Sequence, residues 1–257
     1  MSGIGKFLRS IGIALVLFVL FAMTKVVSLY TDYLWFDALG FAPIFMRSLT
    51  AKLLLFFAAG LFFFVFVMVN LSIASRLQKS KWSLKKMSSF MLVLSLFVGI
   101  FSARGWLTFL QYVNQVSFNI KDPILFKDVA FYVFSLPFFL FVWKFLFGCV
   151  VLTLIMVAFF YLQEIIKKLF IPDRPEPIEV GVKGTFKPFD FKKQLATITN
   201  KAMVHVAILG SLLFFLLAVK QYLARFSVMY SENGIVVGAG YTDVTIFLPV
   251  VKFLMVF

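Results

Sequence analysis

The sequence is poor in the residues that build catalytic centres. It holds one cysteine, Cys149, and one histidine, His205, among 257 residues. A single cysteine inside an apolar run excludes an internal disulfide and a cysteine-based metal knuckle, so Cys149 reads as a small apolar side chain. A single histidine has no second His or Cys to share a metal with, and His205 reads as an interfacial polar residue. No Ser-His-Asp set, metalloprotease helix or nucleotide fingerprint can be assembled. The glycines of GAGYTD (238–243) lack the Lys-Ser/Thr ending of a phosphate loop and read as a tight turn. The chain is therefore expected to be no enzyme and to need no metal or other cofactor. Acids are scarce too, 11 against 25 Lys and Arg, for a net charge of +14. Phe186, Phe189 and Phe191 interleave with Lys187, Lys192 and Lys193, a pattern that could stack on a single nucleic-acid strand. Docking on anionic lipid explains it better, because the basic residues follow loop sidedness, and nucleic acid is not an expected partner.

Hydrophobic residues, by contrast, make up 62% of the chain and charged ones 14%, with a mean hydropathy of +1.01. A soluble domain is roughly half apolar and a quarter charged. The expected fold is all-α, a polytopic transmembrane bundle in which each span needs about 20 apolar residues. Six runs qualify as spans of a single membrane domain over 1–257: residues 11–30, 50–71, 87–103, 138–162, 202–219 and 244–257. The stretch 76–86 (RLQKSKWSLKK) carries Arg76, Lys79, Lys81, Lys85 and Lys86 with no acid. Lys and Arg are retained on the cytoplasmic side, so loops 72–86 and 163–201 and the N-terminus are assigned inside. A basic start before an apolar run also fits a secretory leader, but Lys25 within the run favours a retained span. Between residues 104 and 128, Trp106, Phe109, Val113 and Val116 recur at helical spacing, which predicts a short interfacial helix on the outer face. Pro137 marks a helix start or a kink. Gly148, and Gly210 with Ser211, are the small residues that would let helices approach. The last run has only 14 residues, so the chain reads as a fragment of a longer protein.

The charges that remain gather in one layer. Lys25, Arg104, Lys144, Lys220 and Arg225 fall near the outer ends of spans, and Asp32, Asp37, Asp122, Asp128 and Asp243 fall at the same level. Three readings compete. The cations snorkel to phosphates while the acids cap helices, with Asp243 as an N-cap. Alternatively, the two signs pair into a salt-bridged rim. In the third reading they line a functional cavity for an anionic headgroup or a hard cation, since charged groups in membrane spans are costly and commonly functional. Lys144 lies deepest and is the strongest candidate for a role beyond snorkelling.

DPILFKDVAFYVFSLPF (122–138) and YSENGIVVGAGYTDV (230–244), with DYLWF (32–36), Arg104–Trp106, His205 and Arg225, carry a resemblance. The chain resembles the uncharacterised protein family numbered zero-one-eight-two, large bacterial and archaeal integral membrane proteins with about seven spans and a long exported C-terminal part. Phe126 stands where that family more usually has glycine, and Phe226 follows Arg225 where it tends to have tyrosine. The resemblance implies a multi-pass protein of the cell membrane and leaves its chemistry open. The function expected is a non-enzymatic platform that anchors an exported domain at the cell envelope. Its partners would be the lipid bilayer, anionic lipid at the cytoplasmic loops, and an envelope protein. The alternative is a transporter or channel for an ion or a small anionic or lipid substrate, motivated by Lys144 and by the breaks at Pro137 and Pro249.

Overall fold

The computed structural model describes residues 20, 23–78, 84–170, 191–231 and 237–254, with side chains placed for 20, 23–78, 87–166, 200–231 and 237–253. Among these residues the fold is all-helical. Helix α1 covers residues 23–38, followed by α2 (Ala42–Gln78), α3 (Leu84–Ala103), α4 (Trp106–Val113), α5 (Leu136–Phe170), α6 (Phe191–Ser227) and α7 (Leu248–Leu254). Three stretches are long and apolar enough to cross a membrane: Ala42–Gln78, Phe131–Ile166 and Asn200–Tyr230. Helices α3 and α4 pass the same test as a pair bent by 57°. The expected run 11–30 and the loop centres at Lys79 and Lys183 lie largely outside the described residues.

The chain packs as two compact units, one reaching to Leu53 and one from Leu54 onward. In the first, α1 runs unbroken past Tyr30 and stops at a glycine. Gly40 takes a φ of 77°, which a residue without a Cβ adopts freely. Its N–H donates to the Asp37 carbonyl at 2.9 Å, and the Phe41 N–H reaches the Phe36 carbonyl at 2.7 Å. That pair of bonds is a Schellman stop, which satisfies carbonyls the helix end would otherwise leave open. Phe45 of α2 then packs under the corner, with ring centroids 5.9 Å from Tyr33 and 5.5 Å from Phe36.

In the second unit one core joins four helices: Phe63, Val67 and Leu71 of α2, Met87 and Met91 of α3, Val157 and Phe160 of α5, and Leu209 of α6. The close approaches fall at glycines other than those the sequence singles out. A Cβ at Gly99 of α3 would lie 2.7 Å from the Phe56 carbonyl oxygen of α2, and one at Gly60 would lie 3.1 Å from the Ser95 carbonyl oxygen. Nothing lies within 4 Å of a Cβ built on Gly148 or Gly210. The chain turns from α3 into α4 at Gly105, where the Phe141 ring of α5 occupies the space of a side chain, 2.4 Å from a built Cβ. Helix α4 ends at Val113, so Val116 falls in the loop that follows.

Helix α5 does not simply start at Pro137. A wide π turn, Phe131–Ser135, precedes it, closed by the Leu136 N–H on the Phe131 carbonyl. A second π turn, Asp243–Phe247, stands ahead of Leu248 and Pro249 in α7, closed by the Leu248 N–H on the Asp243 carbonyl. Both wide turns end one residue before a Leu-Pro pair. Proline has no N–H to continue the ordinary i to i−4 ladder, and a five-residue bond before it closes the turn instead.

Candidate functional site

The best-built polar arrangement sits where the loop after α4, the first π turn and the end of α6 meet. Asp122 is 5% exposed, and each of its carboxylate oxygens is engaged. Oδ1 accepts the Ile124 N–H at 3.0 Å; Oδ2 accepts the Leu125 N–H at 2.6 Å and the Tyr132 hydroxyl at 3.0 Å. The local cause is an Asx turn: Pro123 fixes φ after the aspartate, and the carboxylate folds forward onto the next free N–H groups. The π turn places Tyr132 over it. The Tyr132 carbonyl accepts the Tyr230 hydroxyl at 2.6 Å, which ties the segment after α6 to the start of α5. Beneath this chain of bonds lies an apolar layer of Tyr132, Leu136, Leu223 and Phe226. The Phe226 ring stands 4.8 Å from Phe131 and 6.4 Å from Tyr132, so phenylalanine fills the place after Arg225 with ring contacts alone.

Asp128 closes the same loop. It is the N-cap of the turn into α5, accepting the Ala130 N–H at 2.7 Å, and it also binds the Ser117 hydroxyl and the Phe118 and Asn119 N–H groups at 3.2 and 3.0 Å. The Ser117 hydroxyl, then the Ala130 N–H, hold its carboxyl below the usual carboxylate range. Asp243 lies inside its turn rather than ahead of it, and its Oδ2 reaches back to the Gly240 N–H at 2.9 Å, the returning half of a capping box.

The cations of the expected rim settle on rings. Arg225 lies 3.8 Å over Tyr222 and 4.5 Å from Phe226, Lys220 lies 5.4 Å over Trp143, and Arg104 lies 4.9 Å over Phe101. Buried and without a hydrogen-bond partner, Nε of Arg225 stands out among these groups. Trp143 is fixed in turn by its indole N–H on the Leu216 carbonyl at 2.6 Å, a clamp between α5 and α6. Lys144 is exposed on α5, Asp32 and Asp37 are exposed on α1, and Lys25 lies on the same helix. Of the ten charges expected to form one cluster, the second unit thus brings Asp122 onto Tyr132, sets Arg225 on the Phe226 ring that packs against Tyr132, and keeps Asp128 in the same loop as Asp122. The two tyrosines carried no signal of their own, because each reads as one more interfacial ring.

A second polar cluster lies toward the other ends of α5 and α6. His205 is 5% exposed, buried between helices. Its Nδ1 meets the Tyr161 hydroxyl at 2.9 Å, and its Nε2 meets Asn70 Oδ1 at 3.2 Å, while Asn70 Nδ2 donates to the Phe66 carbonyl at 2.8 Å. Because Oδ1 can only accept, Nε2 carries the proton and Nδ1 accepts from Tyr161. One residue each from α2, α5 and α6 forms this triad. Its signal in the sequence is three polar groups near matching ends of three apolar runs. Beside it, α2 and α6 leave a groove of about 450 Å³. No group of three His, Cys, Asp or Glu side chains that could hold a metal occurs among the described residues.

Long apolar helices joined at one end by a hydrogen-bonded loop and tied across by a buried polar triad define the class, a multi-helix protein of membrane-length helices. The chain belongs to the Uncharacterised protein family (UPF0182), whose model matches residues 9–257. It is 29% identical over 252 residues to a UPF0182 protein of Methanospirillum hungatei, covering 95% of this chain and 27% of that protein. It is 30% identical over 275 residues to a UPF0182 protein of Desulfitobacterium hafniense, covering 96% and 26%. A Clostridium tetani UPF0182 protein is 27% identical over 240 residues, covering 89% and 25%. The chain thus spans about a quarter of the length of these relatives. No solved structure matches it.

Proposed function

We propose that this chain is the membrane-embedded platform of a longer cell-envelope protein, with six crossings, a cytoplasmic N-terminus and the Asp122 clamp on the outer face. The observation that carries the reading is the clamp itself. Asp122, Tyr132 and Tyr230 bind loop, π turn and helix end into one hydrogen-bonded unit, and their hydrogen-bonding groups are turned on one another. A rigid, satisfied surface suits holding another domain better than turning over a substrate. The relatives' extra length supports the presence of something to hold.

Photocrosslinkers at Val116 and Tyr241, which are 73% and 85% exposed, test it in native membranes. The platform predicts adducts to the exported part or to an envelope protein. Adducts to lipid alone would overturn it. One observation favours transport as a second reading: π turns depart from the α-helical ladder ahead of both Pro137 and Pro249, local irregularities of the kind that transporter helices use. Under that reading Lys144→Met abolishes flux in proteoliposomes; under the platform reading it leaves the crosslinks unchanged.

A further inference from the structure

The groove between α2 and α6 is built differently from the clamp. Its walls are Ile73 and Leu77 on one side and Val204 and Ile208 on the other. Asn70 and His205 form its floor. They spend their hydrogen bonds on each other, on Tyr161 and on Phe66, so the floor offers an incoming molecule ring and methylene surface rather than open polar groups. Among its described lining residues the exposed polar ones are Asn200 and Lys201, at its mouth and at the first residues of the apolar stretch Asn200–Tyr230.

This polarity, charged at the mouth and apolar within, is that of an amphiphile. From Lys201 to Ile208 the slot runs about 10 Å along α6, at about 1.5 Å per residue. Over that length the groove has a volume of about 450 Å³, walled by aliphatic side chains, which accommodates an extended hydrocarbon chain. We infer that the groove seats one acyl chain of an anionic membrane phospholipid, with the Lys201 ammonium at its mouth taking the phosphate. The seat rests on the membrane-embedded reading of α2 and α6. It also gives the triad a second consequence, since a floor whose hydrogen bonds are already closed leaves the chain nothing to compete for.

The test uses the full chain in nanodiscs of phosphatidylglycerol or of phosphatidylcholine, each doped with a lipid bearing a photoreactive acyl chain, and maps adducts by peptide mass spectrometry. Phe214 and Phe215, also exposed on α6 at 72% and 63%, report ordinary surrounding lipid. In phosphatidylglycerol the seat predicts several-fold more adduct at Val204 and Ile208 than at Phe214 and Phe215. In phosphatidylcholine, and with Lys201→Gln, the excess disappears; Lys201→Arg restores it, and Ile208→Trp displaces the chain while leaving the Phe214 adducts in place. Equal labelling of the two stretches, an excess indifferent to headgroup, or adducts at Phe214 with none at Val204 would each overturn the seat. Absence of adducts along the whole of α6 would overturn the embedding on which it rests.

Discussion

Phe126 carries a cost the loop could do without. It holds a φ of 57° and is 74% exposed, so its ring gains little packing in return. The left-handed region costs a non-glycine residue about 1–2 kcal/mol, and glycine gives back about 0.5–1 kcal/mol of that in unfolded-chain entropy. Phe126→Gly should therefore raise the midpoint of thermal unfolding in detergent, by the equivalent of about 0.5–1 kcal/mol. Phe126→Ala, which keeps the strain, should not. Asn119 shares the same φ, but asparagine tolerates it, and nothing comparable is gained there. Asp128 makes a different prediction. Its carboxyl titrates below the ordinary value because the charged form receives the Ser117 hydroxyl and three backbone N–H groups. A depressed folded pKa means stabilisation present above the unfolded value, near 4, and lost as the pH falls through the folded one. Amide exchange at Asn119 and Ala130 should accordingly open on acidification relative to the intrinsic rate. Asp128→Asn should show the opened level already at neutral pH and flatten the dependence. The aspartates that do this work could be read in the sequence as charges beside a turn, because Asp-Pro and Asp before an apolar run are local signals. The tyrosine that meets Asp122 could not, since Tyr132 reaches it from ten residues on, out of a π turn that no local sequence signal announces.

Among the helices, the informative glycines are those whose missing Cβ is already replaced by a neighbour. Gly99 faces backbone, the Phe56 carbonyl oxygen, which cannot swing away as a side chain can. Gly99→Ala should destabilise by about 1–3 kcal/mol, the usual range for overpacking a filled contact. Gly148→Ala and Gly210→Ala meet open space and should be neutral or stabilising by up to about 1 kcal/mol, from helix propensity alone. Thermal unfolding of the three variants side by side checks both halves of the claim. Helix spacing could not sort these glycines in advance, because composition is alike at each and only the partner helix distinguishes them. Helix type and rough extent were legible, since apolar runs of this length permit little else. Helix ends were less so: α6 extends back to Phe191 through a stretch read as polar loop, and the π turn carries helical structure ahead of Pro137. Polar residues near an apolar run cost a helix little in propensity, and a proline near a helix start removes only a bond that the ladder can reroute.

For the molecule as a whole, the charges divide labour in a way that net charge alone does not reveal. Asp122, Asp128 and Asp243 bind backbone N–H groups at loop ends, while Arg104, Lys220 and Arg225 lie over rings, the buried Nε of Arg225 still without a hydrogen-bond partner. The carboxylates of Asp122 and Asp128 already accept hydrogen bonds at both oxygens and have little left for a distant guanidinium. The sidedness of the basic loops is then the remaining lever on orientation, and it has a direct test. Cys149 is 3% exposed within the core, so the native chain supplies a silent background for thiol labelling. Ile120→Cys, at a loop position 63% exposed, should react with a membrane-impermeant maleimide on intact cells. Lys79→Cys and Lys183→Cys, in the two basic loops, should react only after the membrane is opened. The energetic reason is that each Lys or Arg left on the cytoplasmic side spares the cost of carrying a charge across the bilayer, about 2.5–3.5 kcal/mol per residue at the helix centre. If Lys79→Cys and Lys183→Cys label from outside while Ile120→Cys does not, the chain is inverted, and the clamp would face the cytoplasm instead of an exported domain.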